Sequence, residues 1–405
     1  MRDEPSAEAR RRAAHARRRA LIRRRRAVAL LVLVGVVVLV VVVAGAFGGD
    51  GTRRDGTTSA ARSAGGGTSA AQAAAGATTA TSKTGSVTIV WAGDTVPASS
   101  DRSLPGDPST LLGAVAPSLR SADVAIVNLE GTLTTRNGSK CGGSSDGTCF
   151  AFRAPPSYAN TVFKAAGVDV VNLANNHAED YGAGGRADTV AALDRAGIAH
   201  AGGPGEIAVV QVRGLRVAYV GFSTYRWTAN LNDPAAVTAL VKKARTQADI
   251  VIVGLHGGAE GASATHVPHG RETFLGEDRG DLRAFARTAV AAGADLVVGS
   301  GPHVVRGMEF VDGRLVAYST GNFCGYGGVF AENPTTIPTA ILRVTLRADR
   351  TLAAARIVPT RLRDDGTAAP DPARRAIGMM QSLSTADFGP SAASIASGGI
   401  VSAPA

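Results

Sequence analysis

Five times between residues 86 and 303, a run of aliphatic and β-branched residues stops at a side chain able to hold a metal ion or a proton. VTIVWAGD closes on Asp94, VAIVNLE on Asn128 and Glu130, and VVNLANNH on Asn175, Asn176 and His177. IVIVGLHGGAE closes on His256 and Glu260, and LVVGSGPH on His303. Short apolar runs without alternation read as strands buried on both faces. Ala-rich stretches of helical spacing, near 157–166 and 184–195, fall among them. Strand and helix in alternation specify an α/β layered domain. In such a domain the carboxyl ends of neighbouring strands share one edge, where ligands bind. Residues as distant in sequence as Asp94 and His303 can therefore meet.

Each of these residues has an ordinary reading when taken alone. Asp94 can cap a turn, the amides of Asn175 and Asn176 can close one, and His256 or His303 can be a hydrogen-bonded core histidine. Recurrence at five strand ends is what argues for a shared site. Carboxylate, amide and imidazole donors together suit a borderline divalent ion, Mn²⁺, Fe²⁺ or Zn²⁺. Two hairpin signals interrupt the alternation, VVQVRGLRVAYVGF around Gly214 and MEFVDGRLVAYS around Asp312 and Gly313, so part of the sheet is expected to be antiparallel. A last strand pair is expected over 340–346 and 352–359. Residues 361–405, rich in Ala, Ser, Gly and Pro, carry some helical pattern but read as a low-complexity tail.

The net charge of +10 invites a nucleic-acid partner until its distribution is considered. Residues 1–26 carry eleven Arg against three acids, a net of +8 that leaves only +2 for the rest of the chain. Directly after this cytoplasmic Arg-rich segment, residues 27–47 contain neither charge nor proline, and about 20 such residues span a bilayer as a helix. The positive-inside rule then puts the amino terminus in the cytoplasm and the bulk of the chain outside. The arginines serve topology and lipid headgroups, not nucleic acid. An uncleaved signal anchor is the expectation, although Ala44-Gly45-Ala46 leaves signal-peptide cleavage open. Residues 48–85 have the Gly, Ser, Thr and Ala composition of a flexible linker, and 86–360 form the folded domain.

An extracytoplasmic location permits disulfides, and Cys141 and Cys149 flank a short Gly/Ser loop able to bring the two sulfurs together. Cys324 is then the odd thiol, read as buried and structural, since no base stands near it in sequence.

The ordered set GDTVPAS (93–99), NLEGTLT (128–134), NLANNHAEDYG (172–182), LHGGAE (255–260), GADLVVGSGPHVVRGMEF (293–310) and YSTGNF (318–323) resembles the bacterial capsule-synthesis CapA family. That family is associated with poly-γ-glutamate synthesis and has a calcineurin-like metallophosphatase fold. The resemblance implies a four-layer α/β/β/α sandwich with mixed sheets and a site of one or two divalent ions. It implies metal ligands at Asp94, Glu130, Asn176, His256 and His303, with His177 as general acid. Asn175, Glu179 and Asp180 are expected to shape the loop and cap the next helix. Many relatives read His-Pro-His where this chain reads Gly301-Pro302-His303, so one imidazole is missing.

These residues lead to the expectation of metal-assisted phosphoester hydrolysis, with Arg306 either holding an anionic substrate or serving an ordinary surface role. The competing expectation is a membrane-anchored accessory protein whose metal site serves surface-polymer assembly or export without turnover. The partners implied are an anionic surface polymer or phosphoester and, by resemblance, other membrane proteins of polymer synthesis.

Overall fold

The computed structural model describes residues 85–99, 103–142, 149–331 and 333–404. Segments 1–26 and 27–47 and nearly all of the linker lie outside the described residues, and so does the expected anchor. Among the described residues no helix is long and apolar enough to cross a membrane.

Two mixed sheets form the body. In the larger, the order is Ser394–Ile395, Ile400–Ser402, Leu352–Leu362, Pro338–Arg347, Ser86–Val96, Val124–Leu129, Val170–Asn172, Ala199–Ala201. In the smaller, it is Met308–Val311, Arg314–Ala317, Leu296–Ser300, Ile250–His256, Leu215–Ser223, Ala208–Val212. The central strands of both run parallel, and Val124–Leu129 and Ile250–His256 are buried along their whole length, as their unbroken apolar runs require.

Alternate side chains sort into three apolar layers. Ile89, Trp91 and Ile126 of the larger sheet pack with Val217, Tyr219 and Ile252 of the smaller in a central layer between the sheets. Trp91 stacks on Tyr219 at 6.3 Å, and its Nε1 donates to the Gly299 carbonyl at 3.1 Å. The opposite face of the larger sheet, Val90, Ala125 and Val127, packs with Leu193 of helix Gly182–Ala196 and with Phe163 of a π-type turn, Ala159–Lys164. Val220 and Val251 of the smaller sheet pack on Val241 and Phe285 from helices Pro234–Gln247 and Leu282–Ala292. The layer sequence is α/β/β/α.

Local chemistry starts and stops these elements. Asp233 accepts from the amides of Ala235 and Ala236 ahead of Pro234–Gln247, with proline at its first position. Gly197, at φ 62°, ends Gly182–Ala196 in the left-handed conformation. Both hairpin expectations hold: Arg213 and Gly214 (φ 50° and 76°) and Asp312 and Gly313 (φ 46° and 75°) form turns with two consecutive positive φ values.

Residues 361–405 do not form the expected tail. Ala368–Pro370, Ser394–Ile395 and Ile400–Ser402 join the larger sheet, and helix Arg375–Phe388 buries Ile377, Met380 and Leu383. Ile377 and Met380 enter the central apolar layer. The helical pattern is visible in the sequence, but small side chains lower the mean apolarity of the segment and conceal that the helix packs into the core.

Candidate metal centre

The parallel register sets Asp94 beside Asn128 and Asn128 beside Asn172 on one sheet, and Ser223 beside His256 and His256 beside Ser300 on the other. Two rows of polar side chains therefore line the carboxyl edges of the sheets. Asp94 is aimed by an irregularity: register shifts between Ala92 and Asp94 against the neighbouring strand, and a Cβ on Gly93 would lie 1.9 Å from the Gly321 carbonyl oxygen. Only glycine allows this approach, and a bulge of this kind re-aims the next side chain.

Asparagines hold that edge. Asn128 Nδ2 donates to Asp94 Oδ1 at 2.7 Å, while Asn128 Oδ1 accepts from Asn172 at 2.8 Å and Asn175 at 3.0 Å. Asn175 also donates to the Leu129 carbonyl and accepts from the His177 amide, so it shapes the loop as expected. The second oxygen of Asp94 accepts from the Gly301 amide at 3.0 Å.

Around Asp94 the sequence-selected residues converge. Asp94, Glu130 and His256 are buried, and one donor atom from each lies within 4.8 Å of the others. Asn176 Oδ1 is 3.0 Å from His256 Nε2, about the separation of two ligands at right angles on an ion with bonds of ~2.1 Å. Glu130 decides the fit: it is wholly buried, and neither of its carboxylate oxygens has a hydrogen-bond partner. A buried carboxylate without partners is costly unless it is paired or coordinates a metal. The donor set suits a divalent ion.

His303 stands on the far side. Its Nδ1 is 2.8 Å from Asn322 Oδ1 and 3.3 Å from Asp94 Oδ2, and its Nε2 is 3.7 Å from both Glu130 Oε1 and Glu260 Oε2. The residue sits at φ 60°, a left-handed conformation that costs a non-glycine residue about 1–3 kcal/mol. Asn322, whose Nδ2 donates to the His303 carbonyl, clamps it there.

Arg306 has another task than the anion-holding one considered from sequence. Fully buried, its guanidinium makes a two-pronged pair with Glu272 at 2.8 and 2.7 Å and donates to the carbonyls of Ala264 and Ala259. Every arm is spent within the fold. The arginine that does reach the centre is Arg279, paired with Glu260 at 3.0 Å. No motif marked it.

His177 lies beside Asn176 in the chain, its ring against Phe152 at 4.7 Å and its Nδ1 2.8 Å from Asp180 Oδ2. Asp180 accepts from the Phe152 amide as well and pairs with Lys140 at 2.8 Å, so its oxygens act as acceptors. The His177 Nδ1 must then carry the proton, which leaves Nε2 for exchange. Asp180, expected only to shape the loop and cap the next helix, orients the histidine instead; that helix has no side-chain cap.

The family model for bacterial capsule synthesis protein PGA_cap matches residues 88–326. The chain belongs to this family. It is 32% identical over 223 residues to the capsule biosynthesis protein CapA of Bacillus anthracis, covering 50% of this chain and 49% of that one. It is also 32% identical over 179 residues to the PGA biosynthesis protein CapA of Bacillus subtilis (strain 168), covering 40% and 44%. It thus spans about half the length of these curated relatives. Among solved structures, a 5'-nucleotidase precursor from Thermus thermophilus aligns with 14% identity and a TM-score of 0.39, over 74% of this chain and 59% of that one.

Electrostatics at the centre of this PGA_cap chain follow from burial and crowded charge. Burial, and then the neighbouring Asp94 charge, push Glu130 well above the usual carboxylate range. Burial also opposes ionisation of Asp94, but hydrogen bonds from His256 and His303 outweigh it and hold Asp94 below that range. Burial lowers His256 and His177, the latter against the pull of Asp180. His303 goes the other way, to about 10, because Glu130, Asp94 and Glu260 outweigh its desolvation.

The cysteines follow expectation. Cys141 and Cys149 are bridged, and the chain next to the bridge carries Lys140, which also donates to the Asn176 carbonyl at 3.2 Å. Cys324 is buried, and its thiol is pushed up to about 12 by desolvation, which makes it inert.

Proposed function

We propose that this chain is a membrane-anchored, extracytoplasmic component of capsule or poly-γ-glutamate synthesis whose centre is a divalent-metal-dependent phosphoester hydrolase. The Glu130 carboxylate, buried without a hydrogen-bond partner, carries the metal part of this reading. Family membership supports the capsule part. The apolar segment 27–47 behind eleven arginines supports the anchor.

Asp94, Glu130, Asn176 and His256 would hold the ion, with His303 completing the set. A divalent ion there would supply a Lewis acid for a phosphoryl oxygen and acidify the attacking water. The protein's own contribution is positional. The Asn172–Asn128 chain and the Gly301 amide fix both oxygens of Asp94, and Asn322 fixes His303. His177, its Nδ1 proton held by Asp180 and its pKa lowered by burial, presents an unprotonated Nε2 that would take up a proton before passing it to the leaving oxygen.

The test uses the full chain in detergent: bound metal by elemental analysis, and hydrolysis of aryl phosphate mono- and diesters with added Mn²⁺. Metal with turnover that His177→Ala abolishes supports the hydrolase. Metal without turnover on either ester leaves the binding role in polymer assembly, and absence of metal overturns the centre itself.

A further inference from the structure

Position 301 can carry no side chain. Gly301 sits at φ 111°, and a Cβ there would lie 2.9 and 3.0 Å from the backbone nitrogen and oxygen of Gly257 and 3.3 Å from Arg279 Nη2. On the flank where its Cβ would point lie the Gly257 backbone and, just beyond it, the guanidinium of Arg279. Arg279 is 1% exposed and comes from the short strand Glu277–Gly280. Its Nε donates to the Gly258 carbonyl at 2.9 Å and its Nη1 to the Tyr225 hydroxyl at 2.6 Å. The Tyr225 hydroxyl in turn donates to Glu277 at 2.7 Å, which leaves its oxygen lone pairs for the arginine. Nη2 faces Glu260, whose other oxygen faces His303.

We propose that Arg279 occupies the second-cation position of this centre, which accordingly takes one divalent ion, not two. Three carboxylates, Asp94, Glu130 and Glu260, meet there with one permanent cation. Their sum is −2, which a single divalent ion neutralises. A second ion would leave an excess of +2 in a buried site, beside a guanidinium that cannot lose its proton, at a heavy desolvation cost. Of its nitrogens only Nη2 makes no hydrogen bond within the fold, which leaves that one to donate to an oxygen of a tetrahedral oxyanion such as a phosphoryl group. This inference rests on the metal centre proposed above.

The experiment counts Mn²⁺ bound by the full chain in detergent, by equilibrium dialysis with elemental analysis, and records the electron paramagnetic resonance spectrum of the bound ion. The wild type should bind one ion per chain with the six-line spectrum of an isolated Mn²⁺. Arg279→Gln, which removes the charge and leaves an amide donor for the Gly258 carbonyl, should bind two, with the broadened spectrum of a coupled pair. Arg279→Lys should remain at one. No ion in the wild type overturns the metal centre, and this inference with it. Two ions in the wild type leave the centre standing and overturn the role of Arg279, as does a folded Arg279→Gln that binds only one. Should Arg279→Gln fail to fold, the wild-type and Arg279→Lys counts decide: one ion in each supports the assignment, and two in either overturns it.

Discussion

Replacing Glu130 by glutamine separates a residue kept for a ligand from one kept for the fold. In the metal-free protein the Glu130 carboxylate is buried, accepts no hydrogen bond and lies near the Asp94 charge. Leaving a buried polar group unsatisfied costs about 1–3 kcal/mol, and more when it is charged. Glu130→Gln keeps the shape and removes the charge, so in EDTA the variant should be at least as stable as the wild type. The pH dependence has a definite sign. Because the folded-state pKa of Glu130 is raised, its contribution is fully present below about 4.5, the unfolded value, and is lost as pH rises through the folded value. The advantage of Glu130→Gln in EDTA should therefore grow from acid toward neutral pH.

With Mn²⁺ at a hundred times its dissociation constant, the wild type should gain about 2.7 kcal/mol. At roughly 2 °C per kcal/mol for a domain of this size, that is about 5 °C in Tm, and Glu130→Gln should gain almost nothing. Trp91 and Trp227 report unfolding by fluorescence. Glu272→Gln is the contrasting control, since it breaks the buried pair with Arg306 and should cost about 3–5 kcal/mol in EDTA. The reasoning fails if Glu130→Gln is as damaging in EDTA as Glu272→Gln, or if it keeps the Mn²⁺ shift.

Asp180→Asn should leave the Mn²⁺ content unchanged while lowering kcat on an aryl phosphate by about 10²–10⁴-fold, the usual worth of a positioned acid or base; unchanged kcat would remove His177 from proton transfer. The stability of the metal-free wild type relative to His177→Gln should be flat above about pH 7.5. It should fall as pH drops below about 6.5 toward the depressed folded value of His177, because the unfolded chain takes up the proton first; denaturant titrations in EDTA read the difference, and a rise on acidification would show the histidine to be protonated in the fold. Gly93→Ala drives a Cβ to 1.9 Å from a backbone oxygen and should cost about 3 kcal/mol or more, along with metal binding; a variant that is destabilised yet binds metal like the wild type would mean that the bulge does not aim Asp94.

The sequence exposed the strand ends because parallel core strands are apolar on both faces, so the first polar residue after each run stands out. That signal located Asp94, Glu130, Asn176, His256 and His303, which the fold does bring to one edge. It could not locate Arg279, which sits in the polar stretch RETFLGEDRG without periodicity and reaches the centre only through the Glu272–Gly280 hairpin. Nor could it assign Arg306, since nearness to His303 in sequence says nothing of Glu272, which the fold brings against it. The orienting role of Asp180 is concealed for a related reason: its partners Phe152 and Lys140 come from another loop. The helical pattern of Arg375–Phe388 shows in the sequence but its docking does not, because the few apolar side chains that seat it, Ile377, Met380, Leu383 and Phe388 among them, are too few to lift a segment of small residues above a loop-like composition.

The asparagine chain explains why polar residues at these strand ends need not all be ligands. Asn128 is the central case. Its amide nitrogen is committed to Asp94 and its oxygen to two donors, from Asn172 and Asn175, so no lone pair remains well placed for an ion. An aspartate at 128 would offer an oxygen but would also set a like charge against Asp94, and a leucine would leave Asp94 Oδ1 without its Asn128 donor. An amide is the one group of that size that donates to a carboxylate on one side while accepting from neighbouring strands on the other. Because donor and acceptor ends are fixed by the register of three parallel strands, the orientation of Asp94 is set by the sheet itself. The centre is thereby ordered before any ion arrives, and Glu130, the member left without a hydrogen-bond partner, is where binding energy remains to be gained.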